Sequence, residues 1–466
     1  MMLPSLVQIE KEIAATKYGI AGRAPYDVQV KTIARMIAYW RFYNLNGMGT
    51  GKTFCTLAAF DYLRKYDFAH RMLVEAPLSI LATTWQREIL EVFPHLTGEI
   101  LHGTKRERIE ALNKPADVYL INHDGHATIA DELDERGDID VLAIDELAKY
   151  RNGDTKRNKM MRKYAARRQI VWGLTGSPMP RAVTDPWGQC VIVTPQTVPK
   201  HFTHMKRLLM TPDGPFDWKP KPGAVERAVA MMQPSVRYSL DDVLELPQQV
   251  MTYQPVELGK KQAEVYNAIA KQAAAMIDGH KIDAQNAGAV LSKLLQIALG
   301  WVYTRDRTTV PLDNQARIEA IVELAEAAAH KVIVFVPFKS ALAGVAQALT
   351  SAGISNVTVS GDTPPGERSL IFARFQSDPD PRVLVAHPAC LSHGLTLTAA
   401  DTIIWGAPIT SLETFQQACA RIRRIGQKNK QYIILLGGTP VEQKLYKLLA
   451  TNDVTQERFL ELLRSA

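Results

Sequence analysis

Three groups of residues in this chain carry types and spacings suited to phosphoryl chemistry. Gly47 to Thr53 reads GMGTGKT. Gly47, Gly49, Thr50 and Gly51 let the backbone curl with its amides inward, Lys52 reaches β- and γ-phosphates, and the Thr53 hydroxyl can ligate Mg²⁺. Asp145 and Glu146, in DVLAIDEL, could hold that metal through water and polarise an attacking water as general base. Gln417, Arg421 and Arg424, in QQACARIRRIGQ, fall at i, i+4 and i+7, so a continuous helix would project all three from one face as an anion clamp. Arginines delivered to a bound triphosphate stabilise charge during phosphoryl transfer. Tyr26 and Gln29, in APYDVQ upstream of the loop, stand where a glutamine can hydrogen-bond an adenine edge, an ordinary surface glutamine being the alternative. The set points to hydrolysis of ATP with Mg²⁺.

Such residues need a scaffold that ends strands beside one another. From about Tyr39 to Pro195 short apolar runs (YWRFYNLN, RMLVEAP, DVYLIN, DVLAID, QIVWGLTG) alternate with helical patterns. Continuous apolar strands need cover on both faces, as in a parallel sheet between helices. A second series starts near Lys331 with VIVFVPF, NVTVSG, RVLVAH, TIIWGAP and QYIILLGG. Between them lie Pro-rich loops and a long helical stretch, KKQAEVYNAIAKQAAAMIDG. The expected fold is α/β, with two doubly wound parallel-sheet lobes and a mostly helical insertion between them. The expected parts are residues 1–198 for nucleotide binding, 199–310 for the insertion and 311–466 for the second lobe.

With 466 residues the chain exceeds one ordinary domain, and 46% hydrophobic against 22% charged content suits large buried cores. Its four cysteines show no CxxC pairing, so neither zinc nor a disulfide framework is indicated. No stretch approaches the ~18 apolar residues of a membrane span, and the charged N-terminus lacks a signal-peptide run. A cytoplasmic location is expected. Net charge is +7, yet Lys149 to Arg168 alone holds nine basic residues and one acid. This excess beside the acidic pair suits a phosphate-tracking surface, with Arg151, Lys156, Arg157 and Lys159 as candidates and a solvated helix face as the alternative. Trp218, between prolines and lysines, could stack a base or simply pack locally.

Taken in order, these segments resemble superfamily-two helicases, and within them the Swi/Snf-type ATP-dependent DNA translocases. LVEAPLSILATTWQREI resembles that family's Pro-Leu-Ser segment followed by Trp and Glu, and DELAKYRN its acidic box with a Lys-Asn pair. GLTGSP resembles its Leu-Thr-Gly-Thr-Pro element, where DEAD-box RNA helicases carry Ser-Ala-Thr. VRYSLDDVLELPQQ, SGDTPPGERSLIFARF, HGLTLTAADTIIW and QQACARIRRIGQ follow in the family's order. The resemblance implies two RecA-like lobes with ATP between them, Lys52 and Glu146 from the first, and Arg421 and Arg424 as arginine fingers from the second. It further places Gly394 and Gln417 at the nucleotide, Thr175 and Ser177 in coupling, and Ser79, Lys339 and Thr398 against nucleic acid. Departures are Ala148 for His, Arg151 for Lys, Thr396 for Asn and Arg423 for His.

The expected activity is therefore a DNA-stimulated ATPase that moves along double-stranded or branched DNA, acting as a monomer. A nucleotide-gated clamp and an RNA helicase are the alternatives. Target choice then falls to DNA structure or to a replication or recombination protein, in a compact form that suits a phage or bacterial enzyme.

Overall fold

The structure is a computed structural model and describes residues 3–180, 182–214, 217–243, 247–279, 284–303, 309–391 and 396–450. The chain divides into two compact units, one running to Glu245 and the other starting at Leu246.

In the first unit the apolar runs form β1 (Arg41–Asn44), β2 (Arg71–Ala76), β3 (Gly98–Leu101), β4 (Val118–Asn122), β5 (Ile139–Asp145) and β6 (Ile170–Leu174). After a small antiparallel hairpin, β7 (Met210–Pro212) with β8 (Trp218–Pro220), comes β9 (Ser235–Val236). The seven-stranded sheet has the order β3-β4-β2-β5-β6-β1-β9, and every pairing in it is parallel. Alternate residues feed two cores: Tyr43, Leu73, Leu142 and Val171 on one face, and Phe42, Met72, Val74, Val141 and Trp172 on the other. Burial on both faces explains why the strands read as continuous apolar runs.

The second unit repeats the plan. Its elements are β10 (Gln249–Pro255), a hairpin of β11 (Trp301–Tyr303) and β12 (Thr309–Pro311), then β13 (Lys331–Phe335), β14 (Asn356–Val359), β15 (Val383–Ala386), β16 (Ala400–Trp405) and β17 (Gln431–Gly437). The sheet order is β10-β17-β16-β13-β15-β14, again all parallel. Cores of Ile333, Phe335, Trp405 and Phe415, and of Val332, Val334, Ile404 and Leu436, cover its two faces. A buried ion pair, Arg317 to Glu442 at 2.9 Å, ties the helix Gln315–Ala327 to the helical segment that follows β17.

The chain is thus α/β with two parallel-sheet lobes. The intervening stretch does contain the long helices Lys260–Gly279 and Ala284–Leu299. It is also shared between the lobes, because β9 completes the first sheet and β10 the second.

Candidate nucleotide site and nucleic-acid face

Parallel α/β sheets collect ligands at the carboxyl ends of their strands. In the first unit β1, β6 and β5 are neighbours, and the register puts Asn44 level with Leu174 and Leu174 level with Asp145. The glycine loop, the acidic pair and the Thr-Gly-Ser turn therefore leave the sheet side by side.

The loop is built as its glycines require. Gly49 and Gly51 adopt φ of 80° and 89°, a region that side chains with a Cβ avoid. Gly51 caps the helix Lys52–Lys65, whose N-terminus favours anions. Lys52 Nζ donates to the carbonyls of Asn46 and Gly47, at 3.0 and 3.1 Å. Thr50 Oγ1 bonds the Gly47 carbonyl at 2.8 Å, closing the curl, while Thr53 is half-buried on the helix's first turn.

Gln29 is fully buried, and its amide serves the loop. Its Nε2 donates to the Thr50 carbonyl at 2.8 Å, and its Oε1 accepts from the Tyr26 N–H at 3.1 Å. A Cβ on Gly51 would lie 2.5 Å from that Nε2, so glycine is needed for space as well as for φ. The loop's other side is held by residues not singled out above. Gly47 N–H donates to the Tyr238 carbonyl at 2.8 Å, Tyr238 N–H to Asn46 Oδ1 at 2.8 Å, and Arg237 to the Leu45 carbonyl. The segment that follows β9 thus fastens the glycine loop.

Asp145 is buried at the end of β5. Its Oδ1 accepts the Glu146 N–H at 2.9 Å and its Oδ2 accepts the Trp85 indole N–H at 3.1 Å. Glu146 takes a left-handed backbone, φ 52° and ψ 48°, uncommon for a residue with a Cβ, and the 3-10 turn Leu147–Tyr150 follows at once. His123, just beyond β4, bonds the Asp145 carbonyl through Nε2 at 2.9 Å. Burial pushes its imidazole below the ordinary value, and the Lys149 charge adds to the shift. Ala148 is buried where the family usually has a histidine. His123 brings an imidazole to the backbone of Asp145 from the end of a different strand. Nothing in its sequence position announces this, because β4 and β5 become near neighbours only through β2. Beneath, buried Glu75 accepts from the Tyr150 hydroxyl and meets His126 Nδ1 at 3.0 Å, anchoring the turn. Thr175 is buried, and its Oγ1 accepts the Ser177 N–H at 3.2 Å. A Cβ on Gly176, between them, would lie 3.8 Å from Lys52 Nζ.

In the second unit the expected continuous helix is not found. The helix Leu412–Cys419 stops before Arg421, so Gln417, Arg421 and Arg424 do not share one helical face. The Arg421 carbonyl is instead taken by the Leu397 N–H at 3.1 Å. The buried Gln427 amide bonds the carbonyls of Ile422 and Ala400, at 3.0 and 2.9 Å, folding the chain back onto β16. Gly426, at φ 98°, permits the bend. Arg421 is nevertheless buried, its Nε donating to the Gln417 carbonyl at 2.7 Å, and the Arg424 Nε donates to the Ala420 carbonyl at 3.2 Å. Turns bring the two arginines into one locality that helical periodicity does not describe. Gly394 lies outside the described residues.

The basic cluster after the acidic pair divides in two. Arg168 is buried on the carbonyls of Leu133 and Arg136, and Arg162 packs on Trp187 and bonds Gly153. Arg157 pairs with Asp124, and Lys163 and Arg167 pair with Asp134. Arg151 bonds the Ala148 carbonyl. Lys156 and Lys159 are exposed on the helix Lys156–Ala165, whose Asn158 side chain donates to the Tyr150 carbonyl at 2.7 Å. Ser79 is exposed, Lys339 pairs with Asp362 at 2.6 Å, and Thr398 bonds Gln376. One face of Trp218 carries the Lys206 ammonium at 4.2 Å.

Residues 45–299 match the family model of the SNF2-related domain, and residues 316–426 that of the helicase conserved C-terminal domain. The chain is accordingly an ATP-hydrolysing enzyme of helicase superfamily two. More than half of its residues fall in the first match, and it belongs to the SNF2-related family. It is 27% identical to the putative protein p41 of Acyrthosiphon pisum secondary endosymbiont phage 1, over 81% of this chain and 83% of that one. It is 23% identical to the SWI/SNF-related matrix-associated actin-dependent regulator of chromatin subfamily A-like protein 1 of Xenopus tropicalis, over 90% of this chain but only 44% of that protein. A solved Sulfolobus solfataricus SWI2/SNF2 ATPase core in complex with dsDNA aligns over 97% of this chain and 95% of its own, at TM-score 0.46 and 22% identity. Among the described residues no helix is long and apolar enough to cross a membrane.

Proposed function

We propose that this enzyme is an ATP-driven translocase on double-stranded or branched DNA, which remodels forks or branches or displaces bound protein. The observation that carries the reading is the Asn158 hydrogen bond to Tyr150. It joins the helix bearing exposed Lys156 and Lys159 to the turn that sets the backbone of Glu146, so contact with a phosphate chain and the hydrolytic acid share one rigid connection. Lys52 and the loop amides bind the β- and γ-phosphates, Glu146 orients the attacking water, and Arg421 and Arg424 act as arginine fingers on the charge that develops during phosphoryl transfer. Tyr26 and Gln417 border the nucleotide, Gln29 acts through the loop that its amide holds, and Thr175 and Ser177 relay the nucleotide state.

Mg²⁺ fits the residues present. Thr53 and Asp145 would hold it, and each Asp145 oxygen keeps a lone pair beyond its one N–H donor. Among the described residues no group of three His, Cys, Asp or Glu could cage a metal. When bound, it would neutralise charge on the phosphates.

The test is ATPase activity at fixed salt with linear duplex, fork, four-way junction and RNA, together with displacement of the third strand from triplex DNA. Strong stimulation by duplex or branched DNA with third-strand displacement is expected. Stimulation by RNA alone sinks the reading, and DNA stimulation without displacement makes the protein a gated clamp. A monomer working with a replication or recombination protein in bacterial or phage-infected cytoplasm is the setting that fits.

A further inference from the structure

The run from Leu78 to Val92 is not a regular α-helix. Leu78–Ile80 and Arg87–Val92 are α-helical, whereas Leu81–Gln86 is a π-helix. π-turns are rare and concentrate at functional sites, because the wider turn re-aims the side chains that follow. Here the re-aimed residue is Trp85. Its ring is completely buried, in the apolar cluster with Leu81, Ile89 and Phe93, and its one polar atom donates to Asp145 Oδ2 at 3.1 Å. A buried indole N–H needs an acceptor, yet any backbone carbonyl would serve. This one is spent on the carboxylate assigned to the metal, in a charge-assisted bond. The opposite oxygen is held by the Glu146 N–H at 2.9 Å, so two donors fix the plane and direction of the carboxylate. Outward, the same run presents exposed Ser79, whose carbonyl accepts from Thr83 Oγ1 at 2.8 Å.

We propose that Trp85 is a positioning residue for Asp145, and that the π-turn ties the orientation of this carboxylate to the outer Ser79–Thr83 face. The inference rests on the reading of Asp145 as the acid that holds the metal.

Trp85→Phe keeps most of the buried volume and deletes the N–H. In hydrolysis without nucleic acid, kcat is expected to fall by roughly tenfold or more, with KM for ATP within about twofold of the wild type. The Mg²⁺ concentration for half-maximal rate is expected to rise. A folded variant with unchanged kcat and unchanged Mg²⁺ dependence overturns the proposal, as does a kcat loss traceable wholly to lower stability. Should the variant not fold, the ¹⁵N-indole resonances of the seven tryptophans decide the matter in the full chain. One of them is expected to shift on Asp145→Asn and again on adding Mg²⁺ with a non-hydrolysable ATP analogue, and no responsive indole overturns the proposal. Lys52→Ala is the control that separates the two claims. If it leaves hydrolysis intact, the assignment of the site fails; if it abolishes hydrolysis while Trp85→Phe changes nothing, only the role of Trp85 fails.

Discussion

Replacing Gln29 with leucine keeps the side chain's bulk but removes two hydrogen bonds, the 2.8 Å bond to the Thr50 carbonyl that ties its helix to the glycine loop and the 3.1 Å bond from the Tyr26 N–H that caps the helix. Gln29 and Thr50 are both buried, so water cannot replace the amide. Two net hydrogen bonds at about 1 kcal/mol each, with a further cost for an unsatisfied buried carbonyl, give a loss of about 2–4 kcal/mol. For a unit of this size that corresponds to a fall in Tm of about 5–15 °C. Because the lost contact shapes the loop, KM should rise for ATP and GTP together. Thermal unfolding by circular dichroism, with ATP and GTP titrations of the hydrolysis rate, measures both effects. A variant that melts within about 2 °C of the wild type and loses only its preference for ATP over GTP would refute the reasoning and assign Gln29 to the adenine edge.

Three other perturbations test separate parts of the structure. Arg424→Ala, and Arg421→Ala in the fraction that folds, should lower kcat by about 10³ with nucleotide binding retained, as read by single-turnover hydrolysis and a fluorescent ATP analogue; equal loss of both would make them ground-state ligands. Arg317→Met strands the fully buried Glu442 carboxylate and should destabilise the second unit by about 3–5 kcal/mol in urea denaturation, a change below about 1 kcal/mol being contrary to the packing described. Burial pushes the thiols of Cys55, Cys190 and Cys419 up to about 12, whereas Cys390 is half-buried and raised less. A raised thiol pKa leaves little thiolate below it. At pH 8 an aromatic disulfide reagent should therefore modify Cys390 first, and all four cysteines only after unfolding.

Much of the site was legible in the chain because its chemistry is local. GMGTGKT needs its glycines at fixed offsets to curl the backbone, and IDEL announces an acid at the end of an apolar strand; both stand where expected. Arg421 and Arg424 show the opposite case. Their spacing suits a helix, but the Leu397 N–H and the Gln427 amide offer the backbone better partners than another helical turn, and the helix ends at Cys419. The basic run from Lys149 to Arg168 likewise reads as one patch, although Asp124 and Asp134, distant in sequence, neutralise part of it and Arg168 is buried.

The sequence by itself determined two parallel-sheet lobes, a glycine loop between a strand and a helix, and an acidic pair at a strand end, since apolar periodicity and glycine spacing act over a few residues; the family followed from the resemblance of whole motifs in order. Only the tertiary structure decided what holds those groups in place: Gln29 on Thr50, Tyr238 on Gly47, and His123 and Trp85 on Asp145. Such partners come from strands and helices tens of residues away. A hydrogen bond is satisfied by geometry rather than by position in the chain, so residue order carries no mark of them.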